Sequence, residues 1–241
     1  KIAWYENLGG GNFGEQIIIT TDADNSRSVY ASDIDGDGDM DVLSASYSDD
    51  KIAWYENDGF GNFGEQFVIT TATDGARSVY ATDIDGDGDM DVLSASYFDN
   101  KIAWYENDGS GNFGGQNVIT TAANNASSVY AADIDGDGDM DVLSASYGHD
   151  KIAWHENING DFLTHEITSV ADGARSVYAA DLDADGDMDV LSASWSDDKI
   201  AWYENLGGGE FGEQNVITTA TDGAYSVYAA DLDGDGDMDV L

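Results

Sequence analysis

Ser78 to Asn107 reads S-V-Y-A-T-D-I-D-G-D-G-D-M-D-V-L-S-A-S-Y-F-D-N-K-I-A-W-Y-E-N. At its centre is the loop Asp83-Ile84-Asp85-Gly86-Asp87-Gly88-Asp89-Met90-Asp91. Before the loop, Ser78 to Asp83 is a strand of small residues with Val79 and Tyr80. After it, Asp91 to Tyr97 is a second strand, and Phe98-Asp99-Asn100 turns into Lys101-Ile102-Ala103-Trp104. That last run alternates between two faces, as a strand does, and nothing in the stretch has a helical period.

The stretch recurs along the chain. K-I-A-W-[YH]-E-N starts at Lys1, Lys51, Lys101, Lys151 and Lys199. These starts divide the chain into repeats 1–50, 51–100, 101–150, 151–198 and 199–241, with no linker between them. Each repeat also holds glycine-rich turn chemistry, such as Asp58-Gly59-Phe60-Gly61-Asn62, and a β-branched run, such as Phe67 to Thr71. Four short antiparallel strands in roughly 50 residues is the pattern of a propeller blade. The expected fold is therefore all-β: a single β-propeller domain over 1–241. Small residues such as Val79 and Ala81 suit the crowded innermost strand, and the most variable strand suits the outer edge. The chain opens on the third and fourth strands of a blade, Lys1 to Thr20, and ends on the first and second, Ser226 to Leu241. Pairing of the two ends is expected to close five blades.

The charge narrows the partners. The 49 acidic and 8 basic residues give a formal charge of -41. A nucleic-acid partner needs a positive surface, so this class is excluded, and anionic membranes are disfavoured likewise. No run of about 18 apolar residues is present, so no membrane insertion is expected. The chain lacks cysteine, which removes disulfides and thiolate metal sites. Regular apolar runs and an aromatic content of 11% argue against disorder.

The acidic loop asks for a cation. In the first repeat its carboxylates are Asp33, Asp35, Asp37, Asp39 and Asp41. The same set returns as Asp83, Asp85, Asp87, Asp89 and Asp91, and again as Asp133, Asp135, Asp137, Asp139 and Asp141. It appears as Asp181, Asp183, Asp185, Asp187 and Asp189 in the fourth repeat, and as Asp231, Asp233, Asp235, Asp237 and Asp239 in the fifth. Calcium takes six to eight oxygens, and a tight loop can supply them from alternate residues. Positions 1, 3 and 5 offer side chains, position 7 its carbonyl, and position 9 closes the shell. Glycine at position 6 allows the sharp turn. Four carboxylates within about 6 Å cost roughly 4 kcal/mol in mutual repulsion. Five empty loops would cost about 20 kcal/mol, more than a typical domain's stability. Oxygen-only ligands favour calcium, about one per repeat, over zinc or copper. This is no EF-hand, because strands flank the loop and position 12 is Ser44, not Glu.

D-[IL]-D-[GA]-D-G-D-M-D-V-L after S-V-Y-A, with a later N-F-G, resembles the FG-GAP/VCBS repeat family. The resemblance covers essentially the whole chain. It implies an integrin-α-like calcium-binding propeller, related also to fungal sugar-binding propellers and to propeller modules of secreted polysaccharide-degrading proteins. The fourth repeat departs from the pattern. Its Asn157-Ile158-Asn159-Gly160-Asp161-Phe162 lacks N-F-G, and Ala184 stands where the other loops have glycine.

Other positions carry weaker signals. Trp4, Trp54, Trp104, Trp154 and Trp202 recur at one place and read as packing between blades, with sugar stacking the alternative. Arg27, Arg77, Ser127, Arg175 and Tyr225 are equivalent and variable, which on a constant scaffold can mark a binding face. His149, His155 and His165 fall on a turn and two different strands, which does not suggest a cluster. No nucleophile or metalloprotease motif is present. The expected function is a calcium-stabilised, non-catalytic binding module, extracellular or at the cell surface, presenting loops to a glycan or protein. The alternatives are a propeller module of a polysaccharide lyase and a purely structural or engineered repeat scaffold.

Overall fold

The computed structural model describes residues 1–241. Every element is a strand. The first four-stranded sheet is β3 (Ser26–Ser32), β4 (Asp41–Ser46), β5 (Lys51–Asn57) and β6 (Phe63–Thr70), paired in that order. The second is β7 (Ala76–Thr82), β8 (Asp91–Ser96), β9 (Lys101–Tyr105) and β10 (Asn117–Thr120). The third comprises β11 (Ala126–Ala132), β12 (Asp141–Ser146), β13 (Lys151–Ile158) and β14 (Asp161–Thr168). The fourth comprises β15 (Ala174–Ala180), β16 (Asp189–Ser194), β17 (Lys199–Asn205) and β18 (Phe211–Thr218). All pairings are antiparallel, and each sheet is the up-and-down meander of a propeller blade.

The core lies between sheets rather than within one. Leu43, Ala45, Ile52 and Trp54 of the first blade pack on Ala76, Val79, Ala81, Val92 and Tyr105 of the second. D-V-L-S-A-S is buried along its whole length in β8, β12 and β16. Its serines and alanines let neighbouring sheets approach closely. The fourth strand is the outer one: Phe67 and Val68 of β6 stay 44% and 51% exposed. Inner strands follow one another round an axis. Val79 N–H donates to Ser28 Oγ, Val129 to Ser78, Val177 to Ser128 and Val227 to Ser176. A ladder of tyrosines, Tyr30, Tyr80, Tyr130, Tyr178 and Tyr228, keeps step with them at centroid spacings of 4.6–4.8 Å.

The ends differ from expectation. β1 (Ile2–Gly9) pairs only with β2 (Asn12–Thr20), and β19 (Ala229–Ala230) only with β20 (Asp239–Val240). The structure therefore holds four complete blades and two half-blades, and the expected pairing of the two ends is not made. β20 has two residues where β4 has six. With no blade in front of it, Val29 is 57% exposed, whereas Val79, Val129, Val177 and Val227 are 3–4% exposed.

Candidate functional site

Each acidic loop joins the inner strand of a blade to the second. In the loop between β3 and β4, the Asp33 carboxylate accepts from Gly36 N–H at 2.9 Å and Gly38 N–H at 3.0 Å. Asp35 accepts from Asp37 N–H, and Asp37 from Asp39 N–H. The two turn glycines have φ of 76° and 95°, a region that strains any side chain. Ile34, between the carboxylates, is 1% exposed and anchors the loop in the core. These local bonds fold the chain back on itself, so that alternate carboxylates share one side.

Which carboxylates converge is specific. In the first loop Asp33, Asp35 and Asp37 bring one oxygen each within 4.8 Å of one another. In the others positions 1, 3 and 9 do so: Asp83, Asp85 and Asp91; Asp133, Asp135 and Asp141; Asp181, Asp183 and Asp189; Asp231, Asp233 and Asp239. Oxygens 2.3–2.6 Å from one calcium ion span about that distance, so the donor set fits a hard cation. Position 5 joins the group only as Asp37; Asp87, Asp137, Asp185 and Asp235 stand outside it. The position-7 carboxylate turns away from the group. Asp39 lies against Gly59 and Asp89 against Gly109, at the neighbouring hairpins.

Position 9 is the buried member. Asp41, Asp91 and Asp189 are fully buried. Asp91 accepts from Ile84 N–H at 3.1 Å and Asn107 N–H at 2.8 Å. Burial pushes its carboxyl up to about 7, the loop charges of Asp85 and Asp87 adding to the effect and the two backbone donors opposing it. Burial likewise raises Asp41 and Asp141 to about 6. A divalent cation beside such a group would offset the repulsion and favour its ionised form.

The asparagine that ends K-I-A-W-[YH]-E-N is a site residue that the loop motif does not reveal. Asn107 Nδ2 donates to Met90 O of its own loop at 3.0 Å and to Ile34 O of the preceding blade's loop at 2.7 Å. Asn157 and Asn205 make the same double contact. Its signal was its presence in all five copies.

One hairpin breaks the regularity. Elsewhere the loop between the third and fourth strands lies across the blade junction. Gly61 sits on the ring of Trp4, Gly111 on Trp54 and Gly209 on Trp154, each with φ above 70° and no room for a Cβ. In the fourth repeat β13 runs to Ile158 and β14 begins at Asp161, leaving the two-residue turn Asn159-Gly160 with φ of 55° and 91°. This hairpin is one residue shorter than Asp58–Asn62. On one side a pocket of ≈ 350 Å³ opens between Trp104, Asn117, Val118, Gly160, Asp161 and Phe162. On the other, a cleft of ≈ 460 Å³ runs between the loops of the second and third blades, past Asp83, Asp85, Asp139, Met140, Asn157 and Asn159. Trp54 is capped by Phe67 at 4.9 Å and Trp154 by His165 at 4.5 Å, but the residue facing Trp104 across the strand pair is Asn117.

The remaining sequence candidates separate. Trp54, Trp104 and Trp154 lie in the interblade cores, as packing required. His155 is buried between Ser144 and Thr164, and His165 pairs with Glu156 at 2.7 Å. None of the candidate cation groups contains a histidine. The variable positions Arg27, Arg77, Ser127, Arg175 and Tyr225 come together at the axis, at the end of the inner strands away from the acidic loops.

Four-stranded meanders arranged round an axis, each with a carboxylate loop between its first two strands, define a propeller-type repeat protein with candidate cation sites. A model of the FG-GAP-like repeat matches residues 1–44, 33–94, 83–144, 133–192 and 183–241, and the chain belongs to that family. No curated protein matches it in sequence. Among solved structures it is similar to an Agrocybe aegerita lectin described as recognising non-reducing terminal N-acetylglucosamine. The identity is 20% and the TM-score 0.64, over 90% of this chain and 60% of the lectin. It is similar also to virginiamycin B lyase from Staphylococcus aureus, with 15% identity and a TM-score of 0.61, over 92% of this chain and 64% of the lyase. A functionally unknown protein from Desulfotomaculum acetoxidans gives 10% identity and a TM-score of 0.59, over 90% and 62%. The chain thus spans less than two thirds of each, and at these identities the likeness establishes the propeller fold alone.

Proposed function

We propose that this chain is a calcium-stabilised, non-catalytic binding module that takes a neutral glycan in the cleft beside the fourth-repeat hairpin. The observation that carries the reading is that hairpin. It shortens the loop over the junction between the second and third blades and leaves a pocket there, to which the largely buried Trp104 contributes beside Asn117 and Asp161. A sugar ring offers an apolar face to an aromatic and hydroxyls to an amide and a carboxylate. The charge of -41 disfavours an acidic glycan here. Recognition of terminal N-acetylglucosamine by the Agrocybe aegerita lectin is in keeping with a sugar ligand.

Calcium is the cation this reading assigns to the loops, since every donor is a hard oxygen. Its role is structural, holding the fold by binding the native state alone. Weak loops of this kind stay filled where calcium is plentiful, so the module works outside the cell or at its surface. Closure of the repeats into one ring belongs to the same reading.

The test is a glycan array probed with the chain in calcium and in chelator. It is repeated with a variant in which D-G-F-G-N replaces Ile158–Asp161. We expect calcium-dependent binding to a neutral glycan, weakened at least tenfold by the graft while calcium stoichiometry stays the same. Undiminished binding by the grafted chain would move the site elsewhere, and silence across the array would sink the glycan reading.

A further inference from the structure

The chain has three arginines, and all three meet at one place. Arg27, Arg77 and Arg175 line an axial channel of ≈ 130 Å³ with Ser127 and Tyr225, over a layer of serines that includes Ser78 and Ser128. Each arginine stands at the start of its inner strand. The acidic loops begin where those strands end, about 20 Å away.

None of the three is paired. All five ion pairs of the molecule use lysine or histidine. This is conspicuous in a chain with 49 acidic residues. The carboxylates of the neighbouring turns form no ion pair with them, and Oδ1 of Asp49, Asp99 and Asp197 is itself buried without a partner. Asp49, Asp99 and Asp197 hold Lys51, Lys101 and Lys199 at 2.6–2.8 Å. Asp50, Asp150 and Asp198 accept from Gly75, Gly173 and Gly223 N–H at 2.8–2.9 Å.

The guanidinium groups are nonetheless held in place. Arg77 lies 4.3 Å from the ring centre of Tyr97, Arg175 lies 4.0 Å from that of Tyr147, and Arg27 lies 5.1 Å from that of Tyr47. Stacking fixes the planes but satisfies no N–H. Nε and Nη1 of both Arg77 and Arg175 are buried with no hydrogen-bond partner. Burial lowers the affinity of Arg77 for its proton, and the like charge of Arg175 lowers it further. Buried charged donors without acceptors, facing one another, are costly unless an anion completes them.

We propose that this channel binds a tetrahedral oxyanion, sulfate or phosphate, either free or as the ester group of a larger ligand. Guanidinium forks approach from three of the five repeats, and a tetrahedral anion can accept from several directions. A planar carboxylate matches a single fork. The volume equals that of about four water molecules, which admits such a group. Remote carboxylates are screened beyond about 8 Å, so the local charge governs the channel despite the net charge of the chain. The proposal is independent of the glycan cleft, which lies at the loop end.

The test uses the full chain with calcium at constant ionic strength. Thermal melts and calorimetric titrations are run with inorganic sulfate, with chloride, and with a monosaccharide 6-sulfate beside its unsulfated parent. We expect saturable stabilisation by sulfate and none by chloride. The Arg77→Ser and Arg175→Ser variants, which place the residue found at Ser127, should bind at least tenfold more weakly. Lys151→Ser, which removes the same charge away from the channel, should bind as the parent does. Binding of the sulfated sugar at least as tight as that of inorganic sulfate identifies an ester as the source, and binding of inorganic sulfate alone identifies the free ion. Equal weakening by Lys151→Ser, an equal response to chloride, or no saturation would overturn the proposal. Should the serine variants fail to fold, selenate soaked into crystals of the unaltered chain must appear in the channel, and its absence there overturns the proposal equally.

Discussion

The second repeat, 51–100, and the fourth, 151–198, begin with nearly the same words and end in different structures. In the second, Tyr55 is fully buried, its hydroxyl contacting Ser44 Oγ and accepting from the Gln66 amide. In the fourth, His155 and Thr164 replace that tyrosine and glutamine, and the ring nitrogens contact Ser144 and Thr164, both at 2.9 Å. In the second, Gly61 lies over the ring of Trp4, whereas in the fourth the shorter turn leaves a pocket beside the buried Trp104. The second loop turns on Gly86, the fourth on Ala184 at φ 62°. Agreement between copies marks what the fold needs from every blade. Departure marks where the fold can tolerate a change, and there the surface becomes singular.

The largest effect should come from the element the two repeats share. Ligand at a hundredfold excess over Kd contributes about 2.7 kcal/mol per site, so five filled loops contribute on the order of 13 kcal/mol. Chelation is expected to lower the melting temperature strongly, and calorimetry with and without chelator measures it. An unchanged melt would remove structural calcium from the account. A titration should also rank the loops, with that of the fourth repeat releasing its ion first, because Ala184 strains the turn that gathers its carboxylates.

The next effect separates the repeats. Burial, then the charges of His165 and Lys151, pulls His155 from 6.5 down to about 4. Unfolded, the imidazole takes a proton below pH 6.5; folded, it refuses one until about pH 4. The stability of this group is therefore complete above pH 6.5 and lost as the pH falls toward 4, by roughly 3 kcal/mol in all. Restoring the tyrosine pair with His155→Tyr and Thr164→Gln should flatten the acid limb by about that amount. Denaturant melts of both chains at pH 7, 5.5 and 4, in saturating calcium, make the comparison. Parallel acid limbs would mean that His155 is not held neutral.

Much of this was legible in the residues, and the limits have physical causes. The period of Lys51, Lys101 and Lys151 and the alternation of K-I-A-W-Y gave the meander, because strand and turn chemistry are local. The acidic loop was legible for the same reason: its bonds, Gly36 and Gly38 to Asp33, span three and five residues. What escaped was long-range. Asn107 reaches Ile34 across 73 positions, and no spacing rule announces it. Pairing of the ends followed from counting strands, but it is a long-range contact that no local pattern specifies, and β1 and β20 are not paired. The arginines could be seen to be variable; that three of them share one channel needed the inner strands side by side.

The smallest effect is the finest probe of the comparison. Gly36, Gly86, Gly136 and Gly234 have φ of 76–81°, and Ala184 is held at 62° in the same turn. Its amide does not follow theirs. Gly36 N–H reaches Asp33 Oδ1 at 2.9 Å, while in the fourth repeat Asp181 Oδ1 takes Asp185 N–H at 3.2 Å. An alanine in the left-handed region costs about 1 kcal/mol, and the greater freedom of an unfolded glycine offsets part of the gain from relieving it. Ala184→Gly should therefore raise the melting temperature in calcium by about 1–3 °C. It should also bring the fourth loop's calcium affinity toward that of the others, and Gly86→Ala should do the reverse in the second repeat. A fall in stability on Ala184→Gly would mean that the fourth loop is built around its methyl group, and that its departure from the repeat is an adaptation rather than a strain.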